Sequence, residues 1–205
     1  MTSLDGVGCE WVLTTPPAIE PITLRQAKAQ CRIDLDDENA LLDGYIVAAR
    51  QAAEARLARG LLTQTWTLTV PSFAERIWLP MAAPLQSITS ITYYDANGAQ
   101  QTLATTAYTV DTTSRPGSVV RAANQTWPSV QSDRRVAAVA ITYVVGWTSA
   151  DLVPERIKQG CRLYIGACDA DRDGFTKGAD QARSAAQACW DDVVYWKPPQ
   201  DEGGA

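Results

Sequence analysis

Apolar positions along this chain follow two different periods, and the period changes twice. From 23 to 60 they recur at helical spacing. Thr23 and Gln26 have capping-box spacing, so each side chain can satisfy a free backbone N–H at a helix start. Leu24, Ala27 and Cys31 then give a short helix one apolar side. The chain turns through Asp34, Asp36, Asp37 and Glu38. Carboxylates there suit the start of a helix, where they can accept from N–H groups and oppose the macrodipole. A longer helix follows, with Leu41, Leu42, Tyr45, Ile46, Ala49, Ala53 and Leu57 at helical spacing and Gly60 fitting its end.

From 64 to 147 the pattern becomes alternation. Trp66, Leu68 and Val70 alternate with Thr65, Thr67 and Thr69, which reads as a half-buried strand. Further strands are expected at 77–79, 88–94, 101–103, 108–111, 118–121 and 136–145. Asn97-Gly98 offers two residues suited to positive φ, so 88–94 and 101–103 should form a hairpin. The segment 114–117 is a second turn signal. Helical spacing returns after Pro154, with Ile157, Cys161, Tyr164, Ile165 and Cys168 as its stripe. A fourth helix is expected over 180–195, stopped by Pro198-Pro199.

These elements predict an α+β fold. About four helices from both chain ends form a bundle, because their stripes must cover one another, and an antiparallel β-rich segment is inserted between them. The corresponding organisation is an N-terminal arm at 1–20, a helical domain from 21–62 plus 152–196, an inserted β domain at 63–151 and a flexible tail at 197–205. No internal repeat or low-complexity tract interrupts it.

Composition narrows the chemistry. The chain has 205 residues, enough to bury a real core, and no apolar run nears the ~20 residues that span a bilayer. The first eleven residues lack the basic and apolar regions of a secretory signal, so a soluble cytoplasmic product is expected. The net charge of −5, with no basic run, argues against a DNA-gripping surface; an acidic wall would instead let a duplex slide past. Histidine is absent, which removes Ser-His-Asp and Cys-His catalysis. No phosphate-binding glycine loop is present, and no carboxylate pair stands apart from helix ends and turns. The chain is therefore read as a non-enzyme without a cofactor. Five cysteines (Cys9, Cys31, Cys161, Cys168, Cys189) lack paired metal-site spacing and read as core thiols.

Two features need a partner or an ion to be more than packing. Asp169, Asp171, Asp173 and Gly174 match positions one, three, five and six of an EF-hand loop, with Asp180 at position twelve. Asp180 is a methylene shorter than the usual glutamate, Thr176 replaces an apolar residue, Lys177 puts a cation near the ion, and there is no partner hand. The favoured reading is a solvated acidic turn, with calcium the alternative. The second feature is seven tryptophans. Trp66 and Trp78 lie in alternating strands and read as core. For Trp11, Trp190 and Trp196, near the chain ends, both internal packing and an interface are open. Trp190, Val193, Val194, Tyr195 and Trp196 place apolar mass just before the proline stop, where it needs a covering surface.

The stretch PPAIEPITLRQAKAQCRIDLDDENALLDGYIVAARQAAEARLARGLLTQTW resembles the opening of the head–tail connector, or adaptor, proteins of tailed double-stranded DNA phages and gene-transfer agents. LPMAAPLQSITSITYYDANG, YVVGW and VPERIKQGCRLYIG resemble later segments of that family, in family order. The tail from Ala167 departs from the pattern. The resemblance implies a structural subunit of the virion neck, made in the host cytoplasm. It would form a ring, typically of twelve copies, below the portal. The ring would extend the DNA channel and carry a stopper or other tail-side protein. Genomic DNA would pass without specific binding, and no membrane is involved. The family's portal-docking C-terminal segment corresponds to Trp190–Pro199. The alternatives are another neck component, such as a stopper or tail-completion protein, or a calcium-binding module at 169–180.

Overall fold

The capping box at Thr23 forms in the computed structural model, which describes residues 9–131, 137–172 and 177–193. Thr23 Oγ1 accepts the Gln26 N–H at 3.3 Å and Gln26 Oε1 accepts the Thr23 N–H at 2.9 Å. They open α1 (Leu24–Cys31), which ends with Arg32 in the left-handed region at φ 58°. α2 (Asn39–Leu57) follows the acidic turn. The turn's carboxylates do not cap it. No side chain accepts from the α2 start; Asp36 takes the Lys28 ammonium at 2.5 Å and Glu38 takes the Arg172 guanidinium at 2.7 Å. Ion pairs across to other elements replace the local cap. α2 also ends earlier than Gly60: Ala58 takes the left-handed position at φ 50°.

α3 (Glu155–Ala170) starts directly after Pro154, whose carbonyl accepts from Ile157 and Lys158. α4 runs Lys177–Asp191, beginning and ending earlier than the 180–195 expected. The chain divides into two compact units, Ile19–Leu62 with Thr148–Ala205, and Met1–Ala18 with Thr63–Trp147. In the helical unit α3 packs against α1, α2 and α4. Leu42, Ile46, Ile157, Cys161, Ile165 and Trp190 are among its buried apolar residues. None of the described helices is long and apolar enough to cross a membrane.

The β unit holds two antiparallel sheets. Strands β1 (Glu10–Thr15), β2 (Gln64–Val70), β4 (Leu85–Tyr94), β5 (Gln100–Thr102) and β8 (Val139–Val145) form a five-stranded sheet in the order β1-β2-β8-β4-β5. β3 (Arg76–Trp78), β6 (Tyr108–Asp111) and β7 (Ser118–Arg121) form a three-stranded sheet in the order β3-β7-β6. The segment expected as an N-terminal arm thus contributes an edge strand, with Trp11 opposite Leu68. Register follows the alternation: Leu68 pairs with Ile141, and Ile141 with Ile91, all on the buried face. In the β4–β5 turn only Gly98 takes positive φ, at 79°, while the Asp95 carboxylate accepts the Asn97 and Ala99 N–H groups. That side-chain turn removes the need for a second positive-φ residue.

Trp78 is not core. It is 49% exposed, because the three-residue β3 has one inward position, taken by Ile77, and period two sends its neighbours outward.

Candidate functional site

The last described element is α4. Arg56 near the end of α2 grips Asp191 through two bonds of 2.6 and 2.7 Å, fixing where α4 stops. Trp190, expected at a partner surface, is only 1% exposed. Its indole lies against Gly160 of α3, where an added Cβ would stand 2.2 Å from Nε1. Nε1 donates to the Ile157 carbonyl at 3.2 Å. Trp190 is therefore a packing residue of its own subunit, and a partner cannot reach it in this arrangement. Val193 is half-buried. Val194, Tyr195 and Trp196 lie outside the described residues.

Of the EF-hand-like segment 169–180, residues 169–172 and 177–180 are described. Asp169 lies within the last turn of α3, not in a loop, and bonds Arg172. Asp171 is buried and faces Arg183 at 3.2 Å, and the exposed Asp180 lies 3.6 Å from the same guanidinium. All three carboxylates are thus paired with arginines. Asp173 lies outside the described residues, and among those described no three metal-ligating side chains converge. Arg172 also holds Glu38 with a bidentate pair, tying the end of α3 to the start of α2, and this neighbouring cation holds the Glu38 carboxyl below its ordinary range.

The described cysteines and carboxylates of the helical unit are held by burial and by ion pairs. Burial pushes the Cys31 thiol up to about 11 and the Cys161 thiol up to about 12, so both stay protonated and un-nucleophilic at neutral pH. Glu20, Arg50 and Glu54 form a chain of ion pairs at 2.8 and 2.7 Å, and Glu54 Oε1 accepts the Leu61 N–H at 2.9 Å. Burial raises the Glu20 carboxyl above its ordinary value, against the pull of Arg50. This network is structural: it fastens the lead-in to α1 at Glu20 and the α2 exit at Leu61 to α2 itself.

Two further surface features stand out among the described residues. A cleft of about 410 Å³ opens between the 19–24 segment and α2. Ile19, Ile22, Leu24, Ile46 and Val47 line it, with Glu20 and Asp43 as its charged members. Glu20 is occupied by Arg50, whereas Asp43 is exposed and forms no ion pair among the described residues. On the β unit, Trp78 stands out with the Arg76 guanidinium 5.1 Å from its ring centre. Asp111 and Ser118 hold that guanidinium at 3.1 and 2.8 Å. Sequence reasoning missed this pair. The signal was present in the alternation, since period two puts Ile77 and Leu79 together on the buried face and Trp78 on the other.

Comparison with known proteins gives the arrangement its context. A sequence profile described as "Phage gp6-like head-tail connector protein" matches residues 21–115. No protein in the curated comparison matches the chain. Among solved structures, a chain from the virion of a native gene transfer agent particle is similar at 19% identity and TM-score 0.73, covering 95% of this chain and 98% of that one. A chain from the neck of an empty particle of this kind gives 20% identity and TM-score 0.72, covering 95% and 98%. One from a native neck computed with C12 symmetry gives 20% and 0.67, covering 94% and 98%. Both units of the present chain therefore have counterparts in that fold.

Proposed function

We propose that this chain, whose residues 21–115 match the phage gp6-like head–tail connector family, is a structural subunit of the neck of a phage or phage-like particle. The observation that carries the reading is the family match across the boundary between helical and β units. The likeness to gene transfer agent neck chains over almost the whole length supports it. In this reading the subunits close into a ring of twelve copies; one similar neck was computed with C12 symmetry and another with C6, of which twelve is a multiple. The ring sits below the portal, continues the DNA channel and offers a platform to a stopper or other tail-side protein.

The work of such a subunit is ordered binding. The net charge of −5 favours a channel past which DNA slides over one that grips it. The portal contact is assigned to the chain end, Val193, Val194, Tyr195 and Trp196, now without Trp190. Deleting residues 194–205 tests this, because Trp190 and the Arg56–Asp191 pair stay in place. The truncated chain should keep its melting temperature and lose binding to portal-bearing heads. Undiminished head binding by a folded truncated chain would overturn the assignment.

A further inference from the structure

A closed ring of identical subunits needs two different surfaces per chain, one fitting the other on the next copy. The described residues offer one such pair. The knob is Trp78, half exposed on the edge strand β3, with its ring under the Arg76 guanidinium. Among the described residues nothing buries this indole. Tryptophan and arginine are the side chains most enriched where interfaces carry their binding energy. Arg76 is pre-oriented by Asp111 and Ser118 through Nη1, which leaves its Nε–H and Nη2 donors for a further carboxylate.

The socket is the α2 cleft. Its walls, Ile19, Ile22, Leu24, Ile46 and Val47, are aliphatic, and its volume of about 410 Å³ accommodates an indole. Ile19 is itself 50% exposed. The free charge there is Asp43, opposite in sign to Arg76.

We propose that Trp78 of one copy seats in the Ile19–Val47 cleft of the next, with Arg76 reaching Asp43, and that this head-to-tail contact closes the ring. The inference rests on the ring reading above. It assigns the subunit–subunit contact, whereas the chain end serves the portal.

The test uses the full chain and two variants at exposed positions, Trp78→Ala and Asp43→Arg. Circular dichroism first confirms that both melt like the parent. Native mass spectrometry then counts copies. The parent should form rings. Each variant alone should associate at least ~30-fold more weakly, the loss expected for truncating a hot-spot residue, and stay monomeric. Mixed one to one, they should form heterodimers and nothing larger, because the Asp43→Arg chain keeps its knob and the Trp78→Ala chain keeps its socket. Rings from either folded variant, or a mixture that stays monomeric, would overturn the contact while leaving the ring reading intact. A parent chain that forms no ring, alone or with portal, would instead overturn the ring reading and this contact with it.

Discussion

Replacing Trp190 with alanine separates packing from partner binding at the chain end. The indole is 1% exposed, touches Gly160, lies 6.0 Å from the Tyr164 ring centre and donates to Ile157. Removing about 200 Å² of buried aromatic surface costs roughly 5 kcal/mol by area, at about 25 cal/mol per Å². Partial collapse of the cavity brings measured losses for such truncations to about 3–5 kcal/mol. In a chain of this size that lowers the melting temperature by roughly 10 °C. Far-ultraviolet circular dichroism follows the loss. A companion variant checks the geometry. Gly160→Ala in the parent pushes a methyl into the indole and should destabilise by about 1–3 kcal/mol. In the Trp190→Ala background the obstruction is gone, and the same change should stabilise by up to about 1 kcal/mol through helix propensity. A melting temperature unmoved by Trp190→Ala would refute the packing role, as would a Gly160→Ala effect of the same sign in both backgrounds.

Three further outcomes follow from the site descriptions. Arg50→Ala leaves Glu20 and Glu54 without their shared cation and should cost about 3–5 kcal/mol in urea unfolding; a loss below about 1 kcal/mol would mean the network contributes little. The Ser114 and Thr113 groups bonded to Asp111 hold its carboxyl well below the usual range. A depressed carboxyl contributes stability that is full above its unfolded value near pH ~4 and is lost as pH falls toward its folded value. Asp111→Asn should therefore flatten the acid limb of the melting-temperature profile, and an unchanged slope would contradict this. Calcium titration of the full chain should give no saturable heat, because Arg172 and Arg183 occupy Asp169, Asp171 and Asp180; micromolar binding would restore the EF-hand reading.

The sequence was most readable where one period dominated. β2, β6 and β7 fall at the expected residues because alternation and turn residues agree there, and the Thr23 capping box is local chemistry that needs no tertiary context. Legibility failed where the deciding partner was distant in sequence. Glu38 looks like a cap until Arg172 claims it. Asp169 and Asp171 look like ligands until two arginines arrive. Trp78 reads as core from its strand and Trp190 as a partner residue from its place near the chain end, and the structure exchanges them. Gly160 makes room for Trp190 across a helix contact, and alternation with the buried Ile77 and Leu79 turns Trp78 out. Residues 10–15 carried a weak alternation, masked by the prolines that follow, and their pairing with β2 is a long-range choice.

The central claim, that this chain is a neck subunit, is tested most directly by locating it in assembled particles. A tagged chain expressed with its particle genes, labelled with gold and viewed by electron microscopy, should mark the head–tail junction, and averaged images should show a ring there. Label on the capsid faces, at the tail tip, or absent from particles with complete necks would contradict the account.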